Sequence, residues 1–268
     1  MLKSKRRTLE TDQEWAAPVS ELDLSDYVFK RVSAKAVRFF KVNFKYCVFD
    51  DCYFNGCVFD SCDFTGCRIV GTSFHGSKFE GCRFDYASFE KTIIDDHILD
   101  NCCPSYDNLK RQFARTLRMN YQSLGDSEAV NKAILVELDA TGAHLFKTWH
   151  SNDFYYRAKY PGIRRAWSFL AWAKFRLLDF VWGNGENAVK LTRTTALLLV
   201  LLAIVDTVAF RNPMLVGDYW KALLDSPQVF LGTTHSSFPG LAIAGITLVR
   251  LTILGLFMSI LIRRFARR

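Results

Sequence analysis

Between Leu22 and Cys102 the apolar positions recur every five residues. One register reads Leu24, Phe29, Ala34, Phe39, Phe44, Phe49, Phe54, Phe59, Phe64, Ile69, Phe74, Phe79, Phe84, Phe89, Ile94 and Leu99, and eleven of these sixteen are Phe. A second register lies two residues earlier in each unit. It reads Leu22, Tyr27, Val32, Val37, Val42, Cys47, Cys52, Cys57, Cys62, Cys67, Thr72, Ser77, Cys82, Ala87, Thr92 and His97. The other three positions of each unit are mostly polar or Gly. A period of five fits neither the helical period of about 3.6 nor the strand period of about 2. A fixed internal period predicts a repeat architecture, in which each unit is stabilised mainly by its neighbours.

The cysteines of the second register admit three readings. Zinc sites bring ligands in close pairs such as C-x2-C. Here every gap holds four residues with no interleaved His, so no metal is expected. Disulfide frameworks suit short secreted chains. This chain has 268 residues and opens MLKSKRRTLETDQEW, without the apolar core of a leader. The third reading treats Cys as a small buried residue. Val, Thr, Ser and Ala replace it without breaking the period, which favours packing.

These sixteen units resemble the pentapeptide-repeat family. The resemblance implies a right-handed quadrilateral β-helix, one pentad per side and four pentads per coil, with coils stacked at roughly 4.8 Å. Cys47, Phe49, Cys52, Phe54, Cys57, Phe59, Cys62, Phe64, Cys67, Phe74, Phe79, Cys82, Phe84 and Phe89 would then point inward. Residues twenty apart would stack, such as Cys47 over Cys67, and the thiols are expected to be reduced.

The C-terminal third carries a different pattern. TTALLLVLLAIVDTVAF (Thr194–Phe210) is apolar apart from Asp206, and FPGLAIAGITLVRLTILGLFMSILI (Phe238–Ile262) is apolar apart from Arg250. Each is long enough, or nearly so, to cross a hydrocarbon core that needs about 20 residues. Lys190 and Arg193 precede the first; Arg263, Arg264, Arg267 and Arg268 follow the second. The positive-inside rule then places both termini in the cytoplasm of a multi-pass inner-membrane protein. Between repeats and spans, Leu109, Phe113, Leu117 and Tyr121 form one apolar stripe of a helix from about Tyr106 to Leu124. A turn at Gly125-Asp126 leads to a second helix capped by Ser127. IRRAWSFLAWAKFRLLDFVW (Ile163–Trp182) mixes Trp and Phe with Arg and Lys, as helices at a membrane interface do.

The loop joining the spans reads GDYWKALLDSPQVFLGTTHSSFPG. Tyr219, Trp220, Leu223 and Leu224 predict a short amphipathic helix ended by Pro227, followed by a polar run. This region, about Leu191 to Arg268, resembles two-span pore-loop channels built like potassium channels. The resemblance rests on DYWKALL, on Leu231-Gly232 at the filter position, and on LGLFMSILIRR. It implies a homotetramer with a re-entrant pore loop and Leu231, Gly232, Thr233, Thr234 and His235 at the filter. The potassium filter motif is absent, so ions would pass with little preference. Gly245, Thr252, Gly255 and Ser259 share one helical sector, which either lines a pore or packs against another helix. Asp206 and Arg250 would lie at matching depth and pair.

The mixed architecture therefore divides into a polar segment 1–21, a repeat β-helix 22–103, a helical hairpin 104–160, an interfacial helix and linker 161–190, and a two-span module 191–268. Half the chain is hydrophobic and the formal net charge is +8. Within the repeats, ten Lys/Arg face twelve Asp/Glu, which is too balanced for a mimic of duplex DNA, and no nucleic-acid partner is expected. Scattered histidines and the lack of a nucleophile motif argue against an enzyme, and no cofactor is expected. Passive cation conduction is the leading expectation. The alternative is a membrane-anchored scaffold whose rod recruits a cytoplasmic protein.

Overall fold

The computed structural model of the chain describes residues 7–233 and 238–266, the last four as backbone. The chain divides at Phe169/Leu170 into two compact units.

In the first unit the five-residue period builds a four-sided parallel β-solenoid of about four turns. Three sides are sheets. The first comprises Thr8–Thr11, Tyr27–Lys30, Val48–Asp50, Arg68–Val70 and Ser88–Glu90. The second comprises Glu14–Trp15, Ser33–Lys35 and Tyr53–Asn55; the third comprises Val19–Ser20, Arg38–Phe40, Val58–Asp60 and Lys78–Glu80. The fourth side is a column of single bridges through Asp23, Asn43, Asp63 and Arg83. Pairing joins residues twenty apart, as in Phe29 with Phe49 and Phe39 with Phe59. Each corner falls two residues after the large apolar one, and the chain turns there through a positive φ, as at Lys41 (51°), Tyr46 (60°) and Gly66 (70°). This conformation is costly for side chains other than Gly, which accounts for the glycines at that position of many units.

The predicted inward residues are buried, all eight Phe and six Cys of that set among them. Phe39, Phe59 and Phe79 stack with ring centroids 4.8 and 5.0 Å apart, and Phe44, Phe64 and Phe84 at 5.1 and 4.8 Å. Those spacings are the rise of the coil itself. The thiols do more than fill space. Cys47 Sγ donates to the Leu24 carbonyl at 2.9 Å and Cys67 Sγ to that of Phe44 at 2.8 Å. The Ser77 and Thr92 hydroxyls make the same bond to Phe54 and Ile69. Cys, Ser and Thr thus share two properties at this position, small volume and a donor. All eight cysteines are free.

Both ends of the solenoid are covered. Parallel pairing begins at Thr8 with Tyr27, so within the segment read as merely polar, 1–21, the residues from Thr8 onward belong to a further coil. Its Trp15 closes the end against Phe29, Phe39 and Phe54. At the other end the last unit folds as a short helix, α1 (Ile98–Asn101), which leaves His97 exposed. The helix α2 (Asp107–Leu124) then lies over the final coil. Its Asn120 accepts from the Thr92 amide at 2.8 Å and donates to the Thr92 carbonyl at 2.7 Å, imitating the missing next strand. Thr116, one turn earlier, accepts from the Phe89 amide at 3.2 Å. Buried Phe113, Leu117 and Tyr121 cover the terminal apolar layer. Helix α3 (Ser127–His150) returns along α2, tied by Arg118–Glu137 at 2.8 Å and Lys110–Asp139 at 3.1 Å. Its N-cap is Asp126, which accepts from the Ala129 amide at 3.0 Å, rather than Ser127; a carboxylate at the cap also meets the positive end of the helix.

Charge changes sign from coil to coil. Residues 27–46 carry six basic and no acidic side chains, residues 47–66 four acidic and no basic, and residues 7–26 one basic and six acidic. Ion pairs therefore run along the rod: Arg31–Asp12 at 2.6 Å, Arg38–Asp60 at 2.8 Å, Lys45–Asp63 at 3.3 Å and Lys30–Asp50 at 3.5 Å.

After α4 (Phe154–Lys159) and α5 (Ile163–Trp182), the second unit contains α6 (Ala188–Phe210), α7 (Val216–Leu231) and α8 (Gly240–Ala266).

Candidate functional site

Helices α6 and α8 are long and apolar enough to cross a membrane, with mean hydropathies of 1.9 and 2.1. Little of their apolar surface is covered within the chain, only 11% and 6% of their most apolar stretches being buried. The N-cap of α6 is Asn187, which accepts from the Lys190 amide at 3.1 Å. Helix α7 packs against α6. The buried residues there are mostly small: Ala203 and Thr207 on α6, Ala222 and Ser226 on α7. Each pair is spaced four apart, and small residues at that spacing let backbones approach closely. Arg211, just past α6, fastens the pair, holding Asp206 and Asp225 at 2.7 Å each.

This geometry corrects the expected pair between Asp206 and Arg250. Asp206 lies one turn from the end of α6, where Arg211 folds back onto it. Arg250, on α8, instead donates through Nη1 to the carbonyl of Leu231, the last residue of α7. A guanidinium at that end meets the unsatisfied carbonyls and the negative pole of the helix. Pro227 also departs from expectation, since it lies inside α7 and the helix runs on to Leu231.

Leu231, Gly232 and Thr233 form a helix terminus. Gly232 adopts φ 73°, its amide donating to the Val229 carbonyl at 3.1 Å. The Thr233 amide and hydroxyl both reach the Gln228 carbonyl, at 3.0 and 3.2 Å. A Cβ at Gly232 would stand 2.6 Å from Arg250 Nη1, the movable end of a long side chain, so the backbone conformation is what favours glycine and a larger residue would displace the guanidinium. Thr234 and His235 lie outside the described residues. In the stripe of α8, a Cβ at Gly245 or Gly255 would meet nothing within 4 Å. Thr252 donates to the Leu248 carbonyl at 2.9 Å and lines an apolar groove of about 530 Å³ with Phe180, Leu198 and Leu201. Ser259 is half-buried.

In the first unit, Asp95, Asp96 and His97 bring ligand atoms within 4.8 Å of one another at the end of the solenoid. The Lys132 ammonium lies 3.2 Å from Asp96 and 2.7 Å from Asp100 and supplies positive charge there. On one corner column of the rod, exposed Tyr46 and Tyr86 flank Gly66; the Tyr46 ring occupies the space a side chain at Gly66 would fill, 2.6 Å from its Cβ.

Sequence reasoning missed the small pairs on α6 and α7, the Arg211 clamp and the contact between Arg250 and Leu231. The small pairs were visible as AIVDT and ALLDS, each with small residues four apart.

Two family profiles, both described as pentapeptide repeats, match residues 59–102 and 38–76. No curated protein matches the chain. Among solved structures it is similar to a trypsin-treated form of QnrB1, a plasmid-mediated fluoroquinolone resistance protein, at 14% identity and a TM-score of 0.21. The likeness covers 34% of this chain and 64% of that one. Residues 38–102 are thus pentapeptide repeats, wound into a β-solenoid and followed by helices, two of which are long enough and apolar enough to span a membrane.

Proposed function

We propose that the chain is a membrane-anchored binding protein. Two spans, α6 and α8, hold it in an inner membrane with both termini cytoplasmic, and the repeat rod recruits a protein partner. The observation that carries this reading against conduction is the Arg250 contact. A cation filter needs carbonyl oxygens free to replace the water of an ion. The last carbonyl of α7 receives the chain's own guanidinium, and the Gln228 carbonyl behind it is taken by Thr233. On the rod, Tyr46 and Tyr86 offer the kind of side chain enriched at protein interfaces.

A second reading, passive cation conduction by a homotetramer, is favoured by the placement of α7 and a polar run between two spans. Ion flux separates the two. Proteoliposomes of the purified chain, loaded with a sodium- or potassium-sensitive dye, are expected to leak no faster than protein-free vesicles. Sustained flux that scales with protein content would establish conduction and overturn the anchor reading.

A further inference from the structure

Helix α5 is nearly bare. Ile163, Trp167, Leu170 and Leu177 are 76, 66, 54 and 62% exposed. At about 100° per residue they fall within a sector of about 80° and form an apolar stripe, with Phe169 and Phe180, 43 and 49% exposed, on another side of the helix. Its charges are one-sided. Arg164, Arg165, Lys174 and Arg176 stand against the single acid Asp179, and Asp179 is already paired with Lys190 of α6 at 2.8 Å. Arg165 donates to the Trp149 carbonyl, a neutral acceptor, at 2.6 Å. Only five residues separate Trp182 from the first candidate span. A helix so close to a span cannot stray far from the bilayer surface.

We infer that α5 is a docking surface for anionic lipid: its apolar stripe enters the boundary between headgroups and acyl chains, and its basic side chains meet acidic headgroups. The inference rests on the membrane-anchor reading. Lys174 lies on the stripe itself, where a long side chain carries its ammonium back to the headgroups. Trp167 suits the same boundary, an apolar body with one polar N–H. Juxtamembrane Lys and Arg are drawn to the negative potential of acidic lipid.

The test uses the full chain in phosphatidylcholine vesicles with and without phosphatidylglycerol. Trp167→Phe isolates the emission of Trp167 by difference. With phosphatidylglycerol, that emission is expected to be quenched by acyl chains brominated near the headgroup and sheltered from aqueous acrylamide. Neutralising Arg164, Lys174 and Arg176 together to Gln is expected to abolish the dependence on phosphatidylglycerol while the chain stays in the vesicles. Equal acrylamide quenching in both vesicle types overturns the proposal, as does bromine quenching indifferent to phosphatidylglycerol. Shelter that follows protein density instead of lipid would assign the stripe to a second copy and also overturn it. Extraction of the whole chain by alkaline carbonate would overturn the anchor reading first.

Discussion

At the scale of single residues, the thiols show why one position accepts Cys, Ser and Thr. Burial pushes the Cys52 thiol up to about 11, and the Cys103 thiol likewise to about 11. An unfolded thiol ionises near ~8.5. Between those values the folded chain keeps protons the unfolded chain has released. Stability is therefore expected to hold below pH ~8.5 and to fall as pH rises toward about 11, in thermal melts of the detergent-solubilised chain at stepped pH; Cys52→Ser should flatten that slope. Denaturation without reductant should expose eight reactive thiols, the number free in the fold. Gly232 sets a second test. Gly232→Ala forces Ala into positive φ, at about 1–2 kcal/mol, and displaces Arg250. Combined with Arg250→Ala the loss is expected to be less than additive by at least about 0.5 kcal/mol in a double-mutant cycle. Full additivity would mean that the two do not touch in the membrane.

At the scale of elements, the solenoid was legible and its lids were not. The five-residue period stated the coil, the buried registers and the stacking of like on like. It did not reveal Asn120, because an amide that completes a ladder 28 residues away has no local signature. The first coil was missed for the same reason: EWAAPVSEL pairs with the strands after it but lacks Phe in the fifth-residue register. Asn120→Ala strands two buried backbone groups of Thr92 and should cost about 2–3 kcal/mol by the midpoint of urea unfolding. Thr116→Val, which removes one acceptor, should cost less. In α3, burial among Arg111, Lys159 and Lys147 holds the His144 imidazole below its usual range, and its Nδ1 has no hydrogen-bond partner. Protonation is disfavoured in the fold, so stability should drop as pH falls below ~6.5; His144→Leu is expected to remove that acid limb from melts followed by helical circular dichroism. In the second unit the two long apolar helices were plain from hydropathy. The partners of Asp206 and Arg250 were not, because depth along a helix does not tell which neighbouring helix ends beside it.

At the scale of the whole molecule, alternating coil charge is what lets a repeat so uniform hold one register. Stacked identical residues would place like charges about 4.8 Å apart. Here the basic coil of residues 27–46 sits between two acidic ones. Each exposed pair is worth about 0.2–1 kcal/mol and fades in salt. Asp60→Lys, which turns an attraction for Arg38 into a repulsion, is expected to lower stability by about 1 kcal/mol at low ionic strength and by little in molar salt; an effect unchanged by salt would point to packing instead. The same alternation restricts how such a rod can change length. Losing one pentad would rotate every later side by a quarter turn. Losing one coil keeps the sides aligned, yet excising residues 47–66 would set six cations directly against the next coil, which holds three bases and two acids. Losing residues 27–66 would bring the acidic first coil onto that same coil and keep neighbouring signs compatible. A lineage of such rods should therefore lengthen and shorten in steps of forty residues more readily than in steps of twenty.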